Sequence, residues 1–391
     1  MEEGILHAIQ GYMYPNEVEL QWSILIVLYP FTTGLVAGAF ILASLERVFN
    51  VAAVKPTYRL ALLSALAFLL VSPLPLQLHL GHPERSIEMY LTPHTSSAMA
   101  MFGFIYLWYL MAVLVLEIWL DYRKDMVLMA RSETGWKKTL YRILTLGVDN
   151  ISEESLRIDD KLGRFITIVG IPSALLLHGY VGFIFGSVKA NPWWSTPVMP
   201  IVFLFSAIVS GIALVLLMYM LICFLKGIQI DMPCVDTIAR YLMYAFLVDF
   251  SLEMLDLIHR IYEADESFKS LDFMVHTRLY TSSLVQIVFG TIIPIAMLAF
   301  VQLVKLSDAA RKGIYTLAGF LTLMGIFAMR WNVVIGGQLF SKSFLGYTTY
   351  KMAFATKEGL LPAILLMILP FGILWGLVKL LPPFDEEKAA V

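Results

Sequence analysis

Residues 22–48 read WSILIVLYPFTTGLVAGAFILASLERV, and this stretch decides the class of fold. No charged residue lies between Glu19 and Glu46. The stretch therefore exceeds the roughly 20 apolar residues that an α-helix needs to cross the hydrocarbon core of a bilayer. A helix on the surface of a soluble protein would carry charged residues on its water-facing side. The stretch predicts a transmembrane helix.

The composition extends this prediction to the whole chain of 391 residues. Hydrophobic residues make up 59% of it and charged residues 15%, whereas a soluble domain is close to 25% charged. We predict an all-α integral membrane protein with about nine (eight to ten) transmembrane helices, forming a single transmembrane domain over residues 1–391. The predicted segments are 22–48, 59–79, 97–121, 164–187, 198–225, 238–262, 279–304, 313–330 and 358–380.

The charged residues and the cysteines exclude other classes of protein. The net charge is only −2, so nothing indicates a nucleic-acid partner. The two cysteines, Cys223 and Cys234, are too few for an iron–sulfur cluster, which usually takes four thiolates. Most of the 28 Lys and Arg residues fall in the inner loops if the N-terminus is placed outside. The positive-inside rule then predicts an outer N-terminus and an inner C-terminus.

A short internal similarity indicates a repeat. Residues 33–39, TGLVAGA, resemble residues 206–212, SAIVSGI, four predicted helices later. An even number of intervening helices makes the two copies parallel. We expect two four-helix repeats, about 21–190 and about 197–331, an outer loop 331–357 and a last helix at about 358–380. Chance similarity between apolar helices explains the match equally well.

The sixth segment carries a row of ionisable residues that are costly in hydrocarbon. Asp249, Glu253, Asp256 and Arg260 follow one another at helical spacing and therefore share one face, with His259 beside its outer end. Buried carboxyl groups in a row can pass a proton along, so Asp249, Glu253, Asp256 and His259 are a candidate proton path. The alternative is that they pair with basic residues of neighbouring helices and fasten the bundle.

The histidines lie toward the outer side under this topology. Of the seven, only His178 is placed inside a segment; the others lie at or beyond outer helix ends. A haem would need paired buried histidines, so no haem is expected. The other six histidines are His7, His79, His82, His94, His259 and His276.

Two outer stretches gather further polar residues. The loop after the second segment reads HLGHPER over residues 79–85, where Pro83 and Gly81 are typical of a helix end. The stretch RWNVVIGGQ over residues 330–338 follows the eighth segment. Considered by itself, each stretch predicts only a helix end with ordinary polar residues.

Together these motifs resemble one family. The stretch YPFTTGLVAG over residues 29–38, the loop 79–85 with SSAM at 96–99, and RWNVVIGGQ at 330–338 are similar to the NrfD/polysulfide-reductase membrane subunits. The third motif resembles the longer branch of that family, which includes membrane subunits of hydrogenases, of alternative complex III and of the Dsr complex. The similarity covers nearly the whole chain.

The resemblance implies a bundle of two four-helix repeats plus extra helices in the cytoplasmic membrane of a prokaryote. It implies a site near the outer face for menaquinone or another quinone. It also implies a ferredoxin-like iron–sulfur subunit docked on that face, further redox subunits, and no haem, metal or iron–sulfur cluster bound by this chain. Sulfur-compound metabolism of the Dsr type is the implied setting.

On this basis we expect a quinone-reactive, electron-transferring subunit. The predicted quinone-binding residues are His178, Tyr180, Asp249, Glu253 and Arg330. The predicted outer loop or docking residues are His79, His82, Glu84, Arg85, Asn332 and Gln338. An ion- or proton-coupled transporter and a purely structural membrane anchor are the alternatives.

Overall fold

A computed structural model describes residues 10–92, 96, 98–262 and 268–384, so that His7 and His94 lie outside the described part. Within it the chain is almost entirely helical, which confirms the predicted all-α membrane bundle. The long helices are α1 (Ile24–Arg47), α2 (Lys55–Val71), α3 (Ala98–Leu107, Trp108–Val115 and Leu116–Ser132), α4 (Glu153–Gly186), α5 (Met199–Lys226), α6 (Met232–Tyr262), α7 (Tyr280–Leu284, Val285–Ile292 and Ile293–Leu303), α8 (Asp308–Val334) and α9 (Leu360–Leu380).

Eight helices in the described ranges are long and apolar enough to cross a membrane. They correspond to every long helix except α6, which is long enough but carries the charged row of Asp249, Glu253, Asp256 and Arg260. The middle parts of α3 and α7, Trp108–Val115 and Val285–Ile292, are π-helical. We call the end of the bundle that carries residues 10–23 the outer end.

Hydropathy misplaced some helix ends. The helix α4 begins at Glu153, well before the predicted residue 164, because the side chain of Ser152 caps it by accepting a hydrogen bond from the backbone N–H of Ser155. The helix α8 continues to Val334, beyond the predicted residue 330. Both helices extend past their apolar stretches. Hydropathy predicts only the part of a helix that lies in hydrocarbon, and it does not predict where the helix itself ends.

The short elements lie at the two ends of the bundle. The strand β1 (Gln10–Gly11) pairs antiparallel with β2 (Gly346–Tyr347) at the outer end. The short helices are Leu74–His79, Glu88–Leu91, Gly135–Leu144 and Phe268–Thr277, and the single 3-10 turns are Pro15–Glu17, Ala52–Val54, Pro83–Arg85 and Gly336–Gln338.

The helices α1 and α5 touch backbone to backbone in the middle of the bundle. A Cβ atom added at Gly38 would lie 2.1 Å from the carbonyl oxygen of Ala207, and one added at Gly211 would lie 2.4 Å from the Cα of Gly38. This contact brings together the two stretches that resemble each other in sequence. The π-helical segments recur in the third helix of each proposed repeat. We therefore keep the division at about 21–190 and 197–331 as a proposal.

A cap covers the outer end. The indole rings of Trp22 and Trp194 stack with their centroids 5.2 Å apart. The side chain of Gln338 accepts a hydrogen bond from the backbone N–H of Trp22 at 2.9 Å and donates to its carbonyl at 3.2 Å. The cap is formed by residues 10–23, 187–198 and 335–350.

Candidate functional site

A cavity of about 370 Å³ lies between the outer halves of α5, α6, α7 and α8, beside the helix Phe268–Thr277. Its wall is largely apolar, and a void of this size with a few convergent polar groups is typical of a small-molecule site. The polar side chains in the wall are Thr196, Glu253, Asp256, Arg260, Asp272, His276, Ser283, Gln286 and Asn332.

Gln286 links the polar groups of the inner wall. Its Nε2 donates to the two carboxylate oxygens of Glu253 at 3.4 and 3.3 Å. Its Oε1 accepts a hydrogen bond from Nδ2 of Asn332 at 2.8 Å. These contacts assign the orientation of both amides. The Oδ1 atom of Asn332 is buried and has no hydrogen-bond partner among the described residues, which leaves it able to accept a hydrogen bond from a ligand.

The π-helical segment of α7 explains why Gln286 reaches this wall. The hydroxyl of Thr291 donates to the backbone carbonyl of Gln286 at 2.9 Å, five residues back along the chain. At Gly290 an added Cβ would lie 2.1 Å from the Cα of Gly325, so α7 and α8 touch without intervening side chains. The wider π turn, a common feature of functional sites, and this close contact bring Gln286 up to Asn332.

The outer end of α6 is tied to the cap by polar contacts. Asp256 accepts a hydrogen bond from the hydroxyl of Thr196 at 2.5 Å and pairs with Arg260, whose Nε lies 3.0 Å from its carboxylate. Arg260 also donates to the backbone carbonyl of Pro192. On the opposite rim, Nδ1 of His276 lies 3.3 Å from the carboxylate of Asp272. The mouth of the cavity therefore carries both signs of charge.

A second group of polar side chains is fully buried where α1, α4, α5 and α8 meet. Nη2 of Arg330 lies 3.0 Å from Nε2 of His178 and donates to the hydroxyl oxygen of Ser206 at 2.6 Å. Nδ1 of His178 lies 3.2 Å from the hydroxyl oxygen of Thr33. The guanidinium also stacks on Phe203, 4.0 Å from the ring centroid.

These contacts fix the proton positions on His178. The hydroxyl of Thr33 donates to the backbone carbonyl of Tyr29 at 2.9 Å, so its oxygen is left to accept the Nδ1–H of His178. Arg330 has only donors, so Nε2 of His178 must be the unprotonated acceptor. His178 is therefore neutral and orients the guanidinium.

The predicted quinone-binding residues fall into four places. Glu253 lines the cavity, while His178 and Arg330 form the buried cluster behind it. Asp249 is buried on α6, with one carboxylate oxygen that has no hydrogen-bond partner in the described part. Tyr180 is half-buried, and its hydroxyl likewise lacks a partner within residues 10–92, 98–262 and 268–384. Their role in quinone binding remains a prediction.

The predicted proton path continues from the cavity to a second void. Asp256 lines the 370 Å³ cavity and also a void of about 430 Å³ on the other side of α6. His259 lines the second void. The structure therefore places Glu253, Asp256 and His259 in sequence toward the outer surface, with Asp249 at the buried end of the row.

The predicted docking residues differ in exposure, since His82, Glu84 and Arg85 are exposed, His79 and Gln338 are half-buried and Asn332 is buried. His82 and Arg85 are exposed and pair with the neighbouring acids Glu84 and Glu88. His79 pairs with Glu358 at 3.0 Å, which ties the end of the short helix Leu74–His79 to the turn before α9. Of the remaining two residues, Asn332 lines the cavity, and Gln338 forms hydrogen bonds with the backbone of Trp22 in the cap. Their part in docking remains a prediction.

The inner half of the bundle holds a different set of charges. Arg59 binds Asp121 and Asp125, both at 2.7 Å, and Arg47 binds Asp160 at 3.1 Å. Neither of the two cavities borders on these side chains. These arginine and aspartate side chains form ion pairs that link neighbouring helices.

Sequence reasoning missed Gln286, the residue that connects Glu253 with Asn332. A signal was present, since Gln286 is the only amide in the outer part of its segment. No group of three or more His, Cys, Asp or Glu side chains that could hold a metal ion occurs among the residues described.

A family model and one relative match most of this chain, and two further relatives match about half of it. The family model described as "Polysulphide reductase, NrfD" matches residues 14–342. A selenate reductase subunit of Mesobacillus selenatarsenatis is 29% identical over 388 residues, covering 94% of this chain and 87% of that protein. A putative dimethyl sulfoxide reductase membrane subunit of Halobacterium salinarum is 28% identical, covering 51% of this chain and 43% of its own. Protein NrfD of Escherichia coli is 27% identical, covering 51% and 59%.

Proposed function

This chain belongs to the NrfD polysulphide reductase family, and on that premise we propose that it is the quinone-reactive membrane subunit of a respiratory reductase. It exchanges electrons between menaquinone, or another quinone, and a partner iron–sulfur subunit. The single observation that carries the proposal is the cavity in which Glu253, Gln286 and Asn332 converge within a largely apolar wall.

The residues of the cavity fit a quinone. Such a ring needs hydrogen-bond partners at its oxygens and an apolar wall along its faces, and it supplies two-electron, two-proton chemistry when bound. The unpartnered carbonyl oxygen of Asn332 can accept a hydrogen bond from a hydroxyl of the quinol form, and Gln286 orients this amide. Glu253 holds or releases a proton at its carboxylate. Apolar residues such as Val202 and Met329 exclude water from the wall.

The proton path proposed here runs outward along α6. Asp256 borders both voids and follows Glu253 by one helical turn, so it lies between the carboxylate of Glu253 and His259. Asp249 lies one turn on the other side of Glu253, away from the outer surface. This arrangement supports release or uptake of protons at the outer face.

The partner is expected on the same face. The cavity lies near the cap, and the exposed residues His82, Glu84 and Arg85 follow the short helix Leu74–His79. We propose that a ferredoxin-like iron–sulfur subunit docks there and connects to further redox subunits. The distribution of Lys and Arg supports placing this face outside the cytoplasmic membrane of a prokaryote, with the C-terminus inside.

The terminal substrate belongs to those further subunits. One relative is named for selenate and another for dimethyl sulfoxide, so subunits of this kind serve reductases of different substrates. Sulfur-compound metabolism of the Dsr type stays a prediction for this chain.

The test is a substitution in the intact complex. We expect Glu253→Gln to lower electron transfer between a short-chain menaquinol analogue and the iron–sulfur partner by about 100-fold, because the change removes the proton acceptor. The partner should remain bound. Glu133→Gln, an acid on the inner side that pairs with Lys137, is the control and should retain full activity.

The alternatives predict other outcomes. A transporter would move an ion or solute in vesicles that contain this chain alone, without a quinone. A structural anchor would hold its partner and show unchanged quinol-dependent activity after Glu253→Gln. Either result would overturn the proposed function.

A further inference from the structure

The short helix Phe268–Thr277 forms the part of the cavity wall that lies against the cap. The hydroxyl of Ser270 on this helix donates to the backbone carbonyl of Phe344 at 3.3 Å. The rings of Phe273 and Tyr347 lie with their centroids 4.9 Å apart. The helix is therefore held in place beside the cavity. The side chains that it contributes to the wall are Phe268, Leu271, Asp272, Val275 and His276.

The hydrogen bonds of His276 leave one ring nitrogen able to accept a proton. Nδ1 lies 2.9 Å from the backbone carbonyl oxygen of Asp272 and 3.3 Å from Oδ1 of its carboxylate. A carbonyl oxygen only accepts hydrogen bonds, so Nδ1 carries the hydrogen of the neutral ring. Nε2 is then the unprotonated nitrogen, and it has no hydrogen-bond partner among residues 10–92, 96, 98–262 and 268–384. The neutral side chain therefore carries a free proton acceptor.

The other charged side chains of the described cavity wall are less able to take up a proton. Both carboxylate oxygens of Asp256 are engaged, one by a threonine hydroxyl of the cap and one by Nε of Arg260. Arg260 itself has only donors. Asp272 is 55% exposed, and an exposed carboxylate stays ionised near pH 7. From α5, α7 and α8 only uncharged side chains line this part of the wall. Glu253 and His276 remain as the two groups that can hold a proton.

A quinol requires two such groups. It has two hydroxyl groups, and it releases two protons when it is oxidised to a quinone. The carboxylate of Glu253 can take up one of them. The carbonyl oxygen of Asn332 can accept a hydrogen bond from a hydroxyl, but an amide does not hold a proton near neutral pH. The second proton needs an acceptor elsewhere in the wall.

We propose that His276 takes up the second proton of the quinol at Nε2 and passes it to the outer water. Glu253 takes up the other proton, and the two electrons pass to oxidised iron–sulfur clusters of the partner subunit, so that two O–H bonds break and the quinol becomes a quinone. The inference rests on the proposed function, because it names a second proton acceptor of the same cavity.

The position of His276 gives this proton an exit of its own. The side chain is 67% exposed and also lines the cavity, so it borders both the ligand space and the outer water. An imidazole changes its charge between pH 5 and pH 8 and can therefore take up and release a proton near neutral pH. The proton held by His276 does not need the row of acids on α6 to reach the outer face.

The first test is the pH dependence of quinol-dependent electron transfer in the purified complex. His276→Gln should lower the rate about tenfold at pH 8, because no side chain is left to accept the second proton. At pH 5 the exposed imidazole of the wild type is already protonated, so the two proteins should differ by less than about twofold. A loss of equal size at both pH values would indicate a structural role and overturn the inference.

The matched control is Thr277→Ala. Thr277 is the next residue of the same helix, its hydroxyl donates to the backbone carbonyl of Phe273, and it does not line the cavity. This variant should transfer electrons at the wild-type rate at pH 5 and at pH 8.

The second test is chemical rescue at pH 8. Added imidazole should raise the rate of His276→Ala severalfold, because the exposed position admits a free base in place of the side chain. The same addition should leave Glu253→Gln unchanged, since that variant lacks the other acceptor. A His276→Ala complex whose rate does not respond to imidazole would contradict the proposal. This variant also decides the matter if His276→Gln does not assemble.

The outcomes separate this inference from the proposed function. If Glu253→Gln loses activity and His276→Gln keeps the wild-type rate at both pH values, the cavity is the quinone site and only the role of His276 is wrong. If both variants keep the wild-type rate, the proposed function of the cavity fails as well.

Discussion

The outer halves of α6–α8 and the inner halves of α1–α3 both contain charged side chains, but the partners of these charges differ between the two regions. In the inner region Arg59 lies 2.7 Å from both Asp121 and Asp125, so these three charges pair closely. Glu117 is the exception there, since its described partners are the hydroxyls of Tyr58 and Thr167. In the outer region Asp249 has an unpartnered oxygen, and Arg330 has neutral partners only.

The difference shows which buried charges indicate a site. Ionisable residues in a membrane bundle are functional candidates by default, yet close pairing like that of Arg59 with Asp121 and Asp125 is what a structural fastener requires. Incomplete pairing next to a cavity is a stronger signal, because the missing partners must come from water, a proton or a ligand. We expect the two regions to differ in function as they do in pairing.

The largest effect is expected in the outer region, at Gln286. Gln286→Leu removes the donor to Glu253 and the acceptor for Asn332. We expect quinol-dependent electron transfer to fall by about 100-fold, as for the loss of other positioned donors. Gln302→Leu at the inner end of the same helix is the matched control. Equal activity of the two variants would show that the cavity is not the quinone site.

A smaller effect, on stability alone, is expected in the inner region. Arg59→Gln leaves Asp121 and Asp125 without their shared partner, and we expect the free energy of unfolding to fall by about 2 kcal/mol. Thermal denaturation in detergent measures this, with Lys124→Gln, an exposed neighbour, as the control. Electron transfer per folded complex should stay unchanged. A stable variant that has lost activity would show that the inner charges also have a function.

The smallest effect is expected in the cap, at an ion pair between Glu17 and Lys342. Burial alone would raise the pKa of Glu17, but hydrogen bonds from Lys342 and Ser341 and the charge of Lys342 together lower it below its usual 4.5. The pair therefore stabilises the cap above the ordinary pKa, and its contribution is lost as the pH falls through the lower folded value.

The measurement for the cap is hydrogen exchange. Because Lys342 is about half exposed, the pair should contribute only about 0.5 kcal/mol. Glu17→Gln should speed amide exchange of Lys342, whose backbone N–H donates to Glu17 at 3.1 Å, at neutral pH and not below the folded pKa. Unchanged exchange at neutral pH would show that the strand pair alone holds the cap.

Part of the candidate site was predicted from the sequence. The row of acids on α6 was visible because helical spacing places residues i, i+4 and i+7 on one face whatever packs against it. Glu253 and Asp256 accordingly line the same cavity. Gln286 was missed, because an amide whose hydrogen-bond partners lie on two other helices has no partner that can be recognised within its own helix.

The sequence by itself determined the membrane bundle, the family and the end at which polar residues gather. These follow from local composition, since about 20 apolar residues are enough for a span, and from motifs that lie within one helix or loop. Which polar side chains meet was decided only by the tertiary structure. Arg330 meets His178, and Gln286 meets Asn332, because the glycine contacts Gly38–Gly211 and Gly290–Gly325 set how closely the helices approach. Such approach depends on the side chains of two helices at once, and no single segment encodes it.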